Sequence, residues 1–119
     1  MTTNGSATLF QVSDLQKAIR FYVETLGFVE RFRYGTFYAG VQSGDVQIHL
    51  SCSEGQTRIG AGQIYIFCDA VDAYYDVVVA KGATSLDSPK DHDYGLRDFL
   101  IADPDGNRLG FGAETGAVA

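Results

Sequence analysis

A strand-helix-strand-strand-strand pattern runs twice through this 119-residue chain, at a shift of about 55 residues, and that repeat restricts the fold more than any other feature. In the first copy Ala7 to Val12 reads as a strand, and Ser13 or Asp14 supplies a helix N-cap. Leu15, Ala18, Ile19, Tyr22 and Leu26 then recur at helical spacing, and Gly27 follows as a helix-ending glycine. Phe28 to Tyr34, Phe37 to Val41 and Asp45 to Ser51 are expected strands, with turns at Gly35-Thr36 and Ser43-Gly44. Ser53 to Gly62 is a polar, glycine-bearing linker. The second copy begins with a strand from Gln63 to Cys68. Asp69 or Asp72 is the expected cap of a helix carrying Val71, Tyr74, Tyr75 and Val78 on one face, and Gly82 closes it. Ala83 to Leu86 is a short strand, Asp87 to Tyr94 a polar loop, and two final strands flank Asp103-Pro104-Asp105-Gly106-Asn107. That pentapeptide has the residues of a tight turn: Pro104 presets φ, Gly106 tolerates positive φ, and the Asp and Asn side chains bond nearby backbone.

One such unit exposes a sheet face that its single helix cannot cover. Two units side by side give an α+β fold, a curved sheet with helices outside and a concave face inside, and a concavity of that kind is a natural ligand site. We expect a single domain spanning 1–119, with module 1 at about 7–52, a linker at about 53–62 and module 2 at about 63–113.

The net charge of −6 and the lack of a Lys/Arg cluster argue against nucleic acid as a partner. No apolar run is long enough to span a bilayer, and the polar opening Met1 to Ser6 has no leader pattern, so no membrane partner and a cytoplasmic location are expected. Cys52 and Cys68 fit neither a disulfide framework nor a zinc pattern and are read as reduced residues of the core.

Two stretches carry a resemblance. They are Val12-Ser-Asp-Leu-Gln-Lys-Ala-Ile-Arg-Phe-Tyr22 with Leu26-Gly27-Phe28, and Tyr94-Gly-Leu-Arg-Asp-Phe99 with Asp103-Pro-Asp-Gly-Asn107. Together they resemble the glyoxalase/bleomycin-resistance/dioxygenase superfamily, the vicinal oxygen chelate proteins, over nearly the whole chain from Ala7 to Phe111. The resemblance implies paired βαβββ modules and a homodimer whose cavities draw on both subunits. It also implies four metal-ligand positions, which fall on Ala7, His49, Gln63 and Gly110. Two of these lack any donor side chain, so the expectation is no metal and no cofactor, and no catalytic residue is assigned.

The expected function is therefore that of the metal-free, bleomycin-resistance-like branch. Such a protein sequesters an aromatic antibiotic or metabolite in grooves at a dimer interface, and the acidic balance favours a cationic one. The resemblance places Phe32, Phe37 and Tyr94 as stacking residues. Gln47, His49, Gln63 and Tyr65 are polar contacts on cavity-facing strand positions, and Arg97 is a partner for an acidic group. His92, between Asp91 and Asp93, is read as a solvated loop residue. The alternative is a lactoylglutathione-lyase-like or extradiol-dioxygenase-like metalloenzyme with an atypical ligand set, which would need ligands such as Glu30, His92 or Glu114.

Overall fold

A computed structural model describes residues 1–116. The first module is β1 (Thr8–Gln11), α1 (Leu15–Arg20) continued by a π-helical turn (Phe21–Thr25), β2 (Val29–Tyr34), β3 (Tyr38–Ser43) and β4 (Val46–Ser51). The second is β5 (Gln63–Phe67), α2 (Val71–Ala80), β6 (Thr84–Asp91), β7 (Leu96–Ala102) and β8 (Arg108–Glu114). Each module forms a four-stranded mixed sheet, in the order β1-β4-β3-β2 and β5-β8-β7-β6. In both, the first and last strands pair in parallel and the rest antiparallel. The two sheets have the same internal order, as the repeat requires.

Alternation along the strands decides what each face carries. Phe10, Ala39, Val41, Ile48 and Leu50 of the first sheet, and Ile66, Phe99, Ile101, Leu109 and Phe111 of the second, are buried on the helix-bearing faces. They join Leu15, Ala18, Ile19, Tyr22, Val71 and Val78 from the helices in one core. Asp14 caps α1 by accepting from the Lys17 N–H at 3.0 Å. Two local expectations need correction. Neither Asp69 nor Asp72 caps α2; Ala70 sits at that position in the left-handed region, φ 47°, with no side-chain cap. The stretch 87–94 is not a loop throughout, because β6 runs on to Asp91 through two register shifts against β7. A polar, Pro-containing edge strand with bulges imitates a loop in sequence.

The turn at Asp103 to Asn107 ties the modules together. Asp103 and Asn107 are buried. Asp103 Oδ1 accepts from the backbone N–H groups of Asp105 and Asn107, both at 2.9 Å. Its Oδ2 accepts from the Tyr22 hydroxyl of module 1 and from Asn107 Nδ2, again at 2.9 Å. Asn107 in turn accepts from Gly62 N–H at 2.8 Å and donates to the Gln11 carbonyl at 3.1 Å. The turn thus reaches β1, the first helix and the linker at once, and every buried side-chain polar atom among the described residues is satisfied.

Burial, reinforced by Asp103, raises the Tyr22 phenol well above its ordinary value. A raised folded-state pKa contributes stability fully below the unfolded value near about 10 and loses it as pH climbs further. Above pH 10 the unfolding free energy is therefore expected to fall more steeply in the parent protein than in Tyr22→Phe. Denaturant titrations between about pH 8 and 11 check this, and parallel slopes would contradict it.

The radius of gyration is 14.9 Å, against about 13.5 Å for a compact domain of this length. The molecule is also flat, 46 × 41 × 25 Å. Both values reflect sheets covered on one face only. No helix among the described residues is long and apolar enough to cross a membrane.

Candidate functional site

The sheet faces opposite the helices are open, and each carries an aromatic floor. On the first sheet, Ile48 and Leu50 turn into the core, which leaves Gln47 and His49 on the open face of β4. Tyr38, Gly40 and Gln42 occupy the same face of β3. The Phe32 ring of β2 lies flat across Gly40, where a Cβ would collide with it. Only glycine leaves that space, and Gly40 is buried under the ring as a result. Phe32 then meets His49 edge-on at 5.1 Å, stacks on Tyr38 at 6.1 Å and tilts against Tyr34 at 5.6 Å. The Tyr38 hydroxyl lies 2.9 Å from His49 Nδ1. Tyr34 is 61% exposed, so the floor presents ring surface to solvent.

The second sheet uses the same device. Tyr65 of β5 lies across Gly110 and Gly112 of β8; a Cβ on Gly110 would come within 2.9 Å of the ring, and one on Gly112 would strike the hydroxyl. The ring thereby crosses β8, and its hydroxyl donates to Asp98 Oδ2 on β7 at 2.8 Å. The Tyr94 hydroxyl donates to the same oxygen at 2.9 Å, and His92 Nε2 lies 2.6 Å from Asp98 Oδ1. The His92 and Tyr94 rings stack at 4.7 Å with only 7° between their planes. Phe67 meets Tyr65 edge-on at 5.4 Å. Burial pushes the Asp98 carboxyl up, but the bonds from Tyr65, Tyr94 and His92 outweigh it and hold the group below the ordinary carboxylate value. Burial and the bond to Asp98 raise the Tyr65 phenol.

The residues expected from sequence divide between these floors. Phe32, Gln47 and His49 lie on the first open face; Gln63, Tyr65 and Tyr94 belong to the second. Gln63 also lines a cavity of about 320 Å³ with Leu9, Gln11 and Arg58. Phe37 does not join Phe32: it sits in the β2–β3 turn, 53% exposed, and makes no ring pair among the described residues. Arg97 lies on the other side of its sheet. It shares the parity of Phe99 and Ile101 and forms ion pairs with Asp72 of α2 at 2.8 Å and with Asp91 at 3.1 Å. His92 is not a freely solvated loop residue but a member of the Asp98 cluster. Tyr34, Tyr38 and Asp98 are the residues sequence reading missed. Strand parity was the available signal for Tyr34 and Tyr38, which share the parity of Phe32 and Gly40, whereas Asp98 stands out only once the β7–β8 register sets it opposite Gly112.

The four positions that the resemblance assigns to a divalent metal do not fit one. Ala7 and Gly110 offer no donor, and the Tyr65 ring occupies the space over Gly110 into which a longer side chain would grow. His49 Nδ1 is engaged by Tyr38. An imidazole and a neutral amide are left, too few for a chelate.

A larger cavity, about 740 Å³, lies between α2 and the β3–β4 turn, lined by Phe28, Val46, Phe67, Tyr74, Val77 and Phe111 among others. Its lining is mostly apolar, with Asp45 and Asp69 as its charged residues. The open-face floors differ in that their rings and polar groups hold one another through hydrogen bonds, which gives a ligand a defined orientation.

Residues 6–111 match the model of the Glyoxalase/Bleomycin resistance protein/Dioxygenase superfamily. An uncharacterised protein of Mycolicibacterium smegmatis is 31% identical over 103 residues, 87% of each chain. The crystal structure of TnmS3, an antibiotic binding protein from Streptomyces sp. CB03234, superposes with a TM-score of 0.83 at 28% identity, covering 96% of this chain and 98% of that one. A superfamily member from Sphaerobacter thermophilus superposes at 0.82 with 27% identity, covering 96% and 99%.

Proposed function

We propose that this chain, which belongs to the Glyoxalase/Bleomycin resistance protein/Dioxygenase superfamily, is a metal-free binding protein that sequesters a planar aromatic antibiotic or metabolite. The observation that carries the proposal is the pair of glycine-carved floors. Phe32 over Gly40 and Tyr65 over Gly110 and Gly112 present flat ring surface on faces that no helix or strand among the described residues covers. A planar ligand gains from each offset stack about 0.5–1.5 kcal/mol beyond its buried area. The likeness to an antibiotic binding protein supports the same reading.

No ring pair or side-chain hydrogen bond joins the two floors among the described residues. One chain therefore offers two half-sites, and a homodimer that sets the first half-site of each subunit against the second half-site of its partner closes two equivalent grooves. The radius of gyration, larger than a compact monomer needs, agrees with that arrangement. The net charge of −6 favours a cationic ligand over an anionic one, and this part of the affinity is expected to decline with salt.

Two measurements test the proposal. Light scattering at micromolar concentration should give a mass near twice 12.9 kDa, and a stable monomer would remove the grooves. A thermal-shift panel of polycyclic aromatics should raise the unfolding midpoint in a dose-dependent way with metal chelated away. Phe32→Ala should weaken a hit roughly tenfold, the loss of one or two ring stacks. No response from any planar compound would sink the binding reading, and a response only with added Ni²⁺, Zn²⁺ or Fe²⁺ would favour the metalloenzyme.

A further inference from the structure

We propose that Asp98 is the positioning residue of the ligand platform: its carboxylate fixes the rings of Tyr65, His92 and Tyr94 in one arrangement before a planar polycyclic aromatic lands on them. The inference rests on the binding reading above and adds to it a residue and a role.

Three donors from separate places converge on this one group. Tyr65 arrives from β5 across the bare backbone of Gly110 and Gly112, while His92 and Tyr94 come from the turn between β6 and β7. Each has its own bond to Asp98, at 2.8, 2.6 and 2.9 Å. An ionised carboxylate is the only side chain that accepts in this many directions while donating in none. The hydroxyls bind at the ring edges, and although Tyr65 covers the glycines of β8 with one face and Tyr94 stacks on His92 with one face, both rings keep open surface: Tyr65 is 40% and Tyr94 63% exposed. Rings this exposed would otherwise sample several rotamers, and ordering them at the moment of binding would weaken affinity. Lys90 stands opposite Asp98 across the strand pair but makes no ion pair with it among the described residues, so the carboxylate is left to the three rings.

The role differs from that of a charge that pairs with the ligand, and the difference is measurable. Neutral acridine and cationic 9-aminoacridine are flat, fluorescent and nearly the same shape. If Asp98 acts by holding the rings, Asp98→Asn weakens both probes to the same extent, on the order of tenfold. The amide can neither accept from all three groups nor avoid presenting its own N–H donors to them. The double variant Tyr65→Phe/Tyr94→Phe keeps the rings and the charge but removes two of the tethers, and it should show much of the same loss. Near-ultraviolet circular dichroism should change in Asp98→Asn, which keeps every tyrosine, while the unfolding midpoint moves little in either variant, which separates a loosened platform from a damaged fold. Loss of the cationic probe alone in Asp98→Asn would overturn the inference in favour of direct ion pairing. Parent-like affinity in both variants would overturn it outright. If the parent protein binds neither probe, the binding reading itself fails and takes the inference with it.

Discussion

Asp103→Ala should unfold with a free energy about 3–5 kcal/mol lower than the parent, a loss as large as that from truncating a buried aromatic of the core. Four donors converge on the Asp103 carboxylate: the N–H groups of Asp105 and Asn107, the Asn107 amide and the Tyr22 hydroxyl. Asp103 is 3% exposed and Asn107 and Tyr22 are 0%, so little water is at hand to replace it. Truncation strands several buried donors, and each unmet one costs about 1–3 kcal/mol. Tyr22→Phe removes one of the four bonds and should cost only about 1 kcal/mol. A double-mutant cycle of the two would show coupling, because the phenol has no partner left once the carboxylate is gone. Urea unfolding by fluorescence or circular dichroism measures all three variants. A loss below about 1 kcal/mol for Asp103→Ala would mean that the turn does not hold the modules together.

Gly60→Ala is the second large effect, and it has an internal control. Gly60 has φ of +77°, and a Cβ there would collide with the backbone carbonyl oxygen of Asp105. A carbonyl fixed within the clamp cannot swing aside as a side chain can. Left-handed backbone costs a residue with a Cβ about 1–2 kcal/mol, and overpacking against rigid neighbours adds about 1–3 kcal/mol. The total expected is about 2–5 kcal/mol. Gly55 has nearly the same φ, +78°, but nothing within 4 Å of its Cβ position. Gly55→Ala should therefore show the backbone component alone. The difference between the two variants isolates the contact with Asp105, and equal losses would remove it.

These residues also mark how far the sequence could be read. The apolar spacing of Leu15, Ala18, Ile19, Tyr22 and Leu26 identified the first helix and its buried face, because burial and helical period agree there. Asp103 to Asn107 was legible as a turn, since turn chemistry is local. Its role as a clamp was not, because its partner Tyr22 lies 81 positions away. The resemblance pointed at the turn as a motif without saying what it does. On the site, His49 and Tyr65 lie on the open faces, as expected of cavity-facing strand positions, and Phe32, which the resemblance supplied, shares the first of those faces. Arg97 was drawn to the ligand by its place near Tyr94, although the parity of Phe99 and Ile101 already sends it to the helices and Asp72. Asp98 could not be found from its own strand alone. Its importance depends on two glycines of β8 that let Tyr65 cross to reach it, and bare glycines look like packing or turn residues until the register is known.

The metal expectation and the stacking surface meet at one point in this chain. Where a ligand side chain would rise from position 110, the chain has Gly110 and the ring of Tyr65 lying over it. One glycine thus both withholds a metal donor and makes room for a stacking surface.

The most direct test is to map where a planar probe lands, by amide and aromatic chemical-shift changes on titrating 9-aminoacridine into the metal-free protein. The largest changes are expected at Phe32, Tyr38 and His49 on one open face and at Tyr65, His92, Tyr94 and Asp98 on the other, together at a single saturation point. Changes confined to Tyr74, Val77 and Phe28, around the cavity between α2 and the β3–β4 turn, would contradict the assignment of the floors as the site.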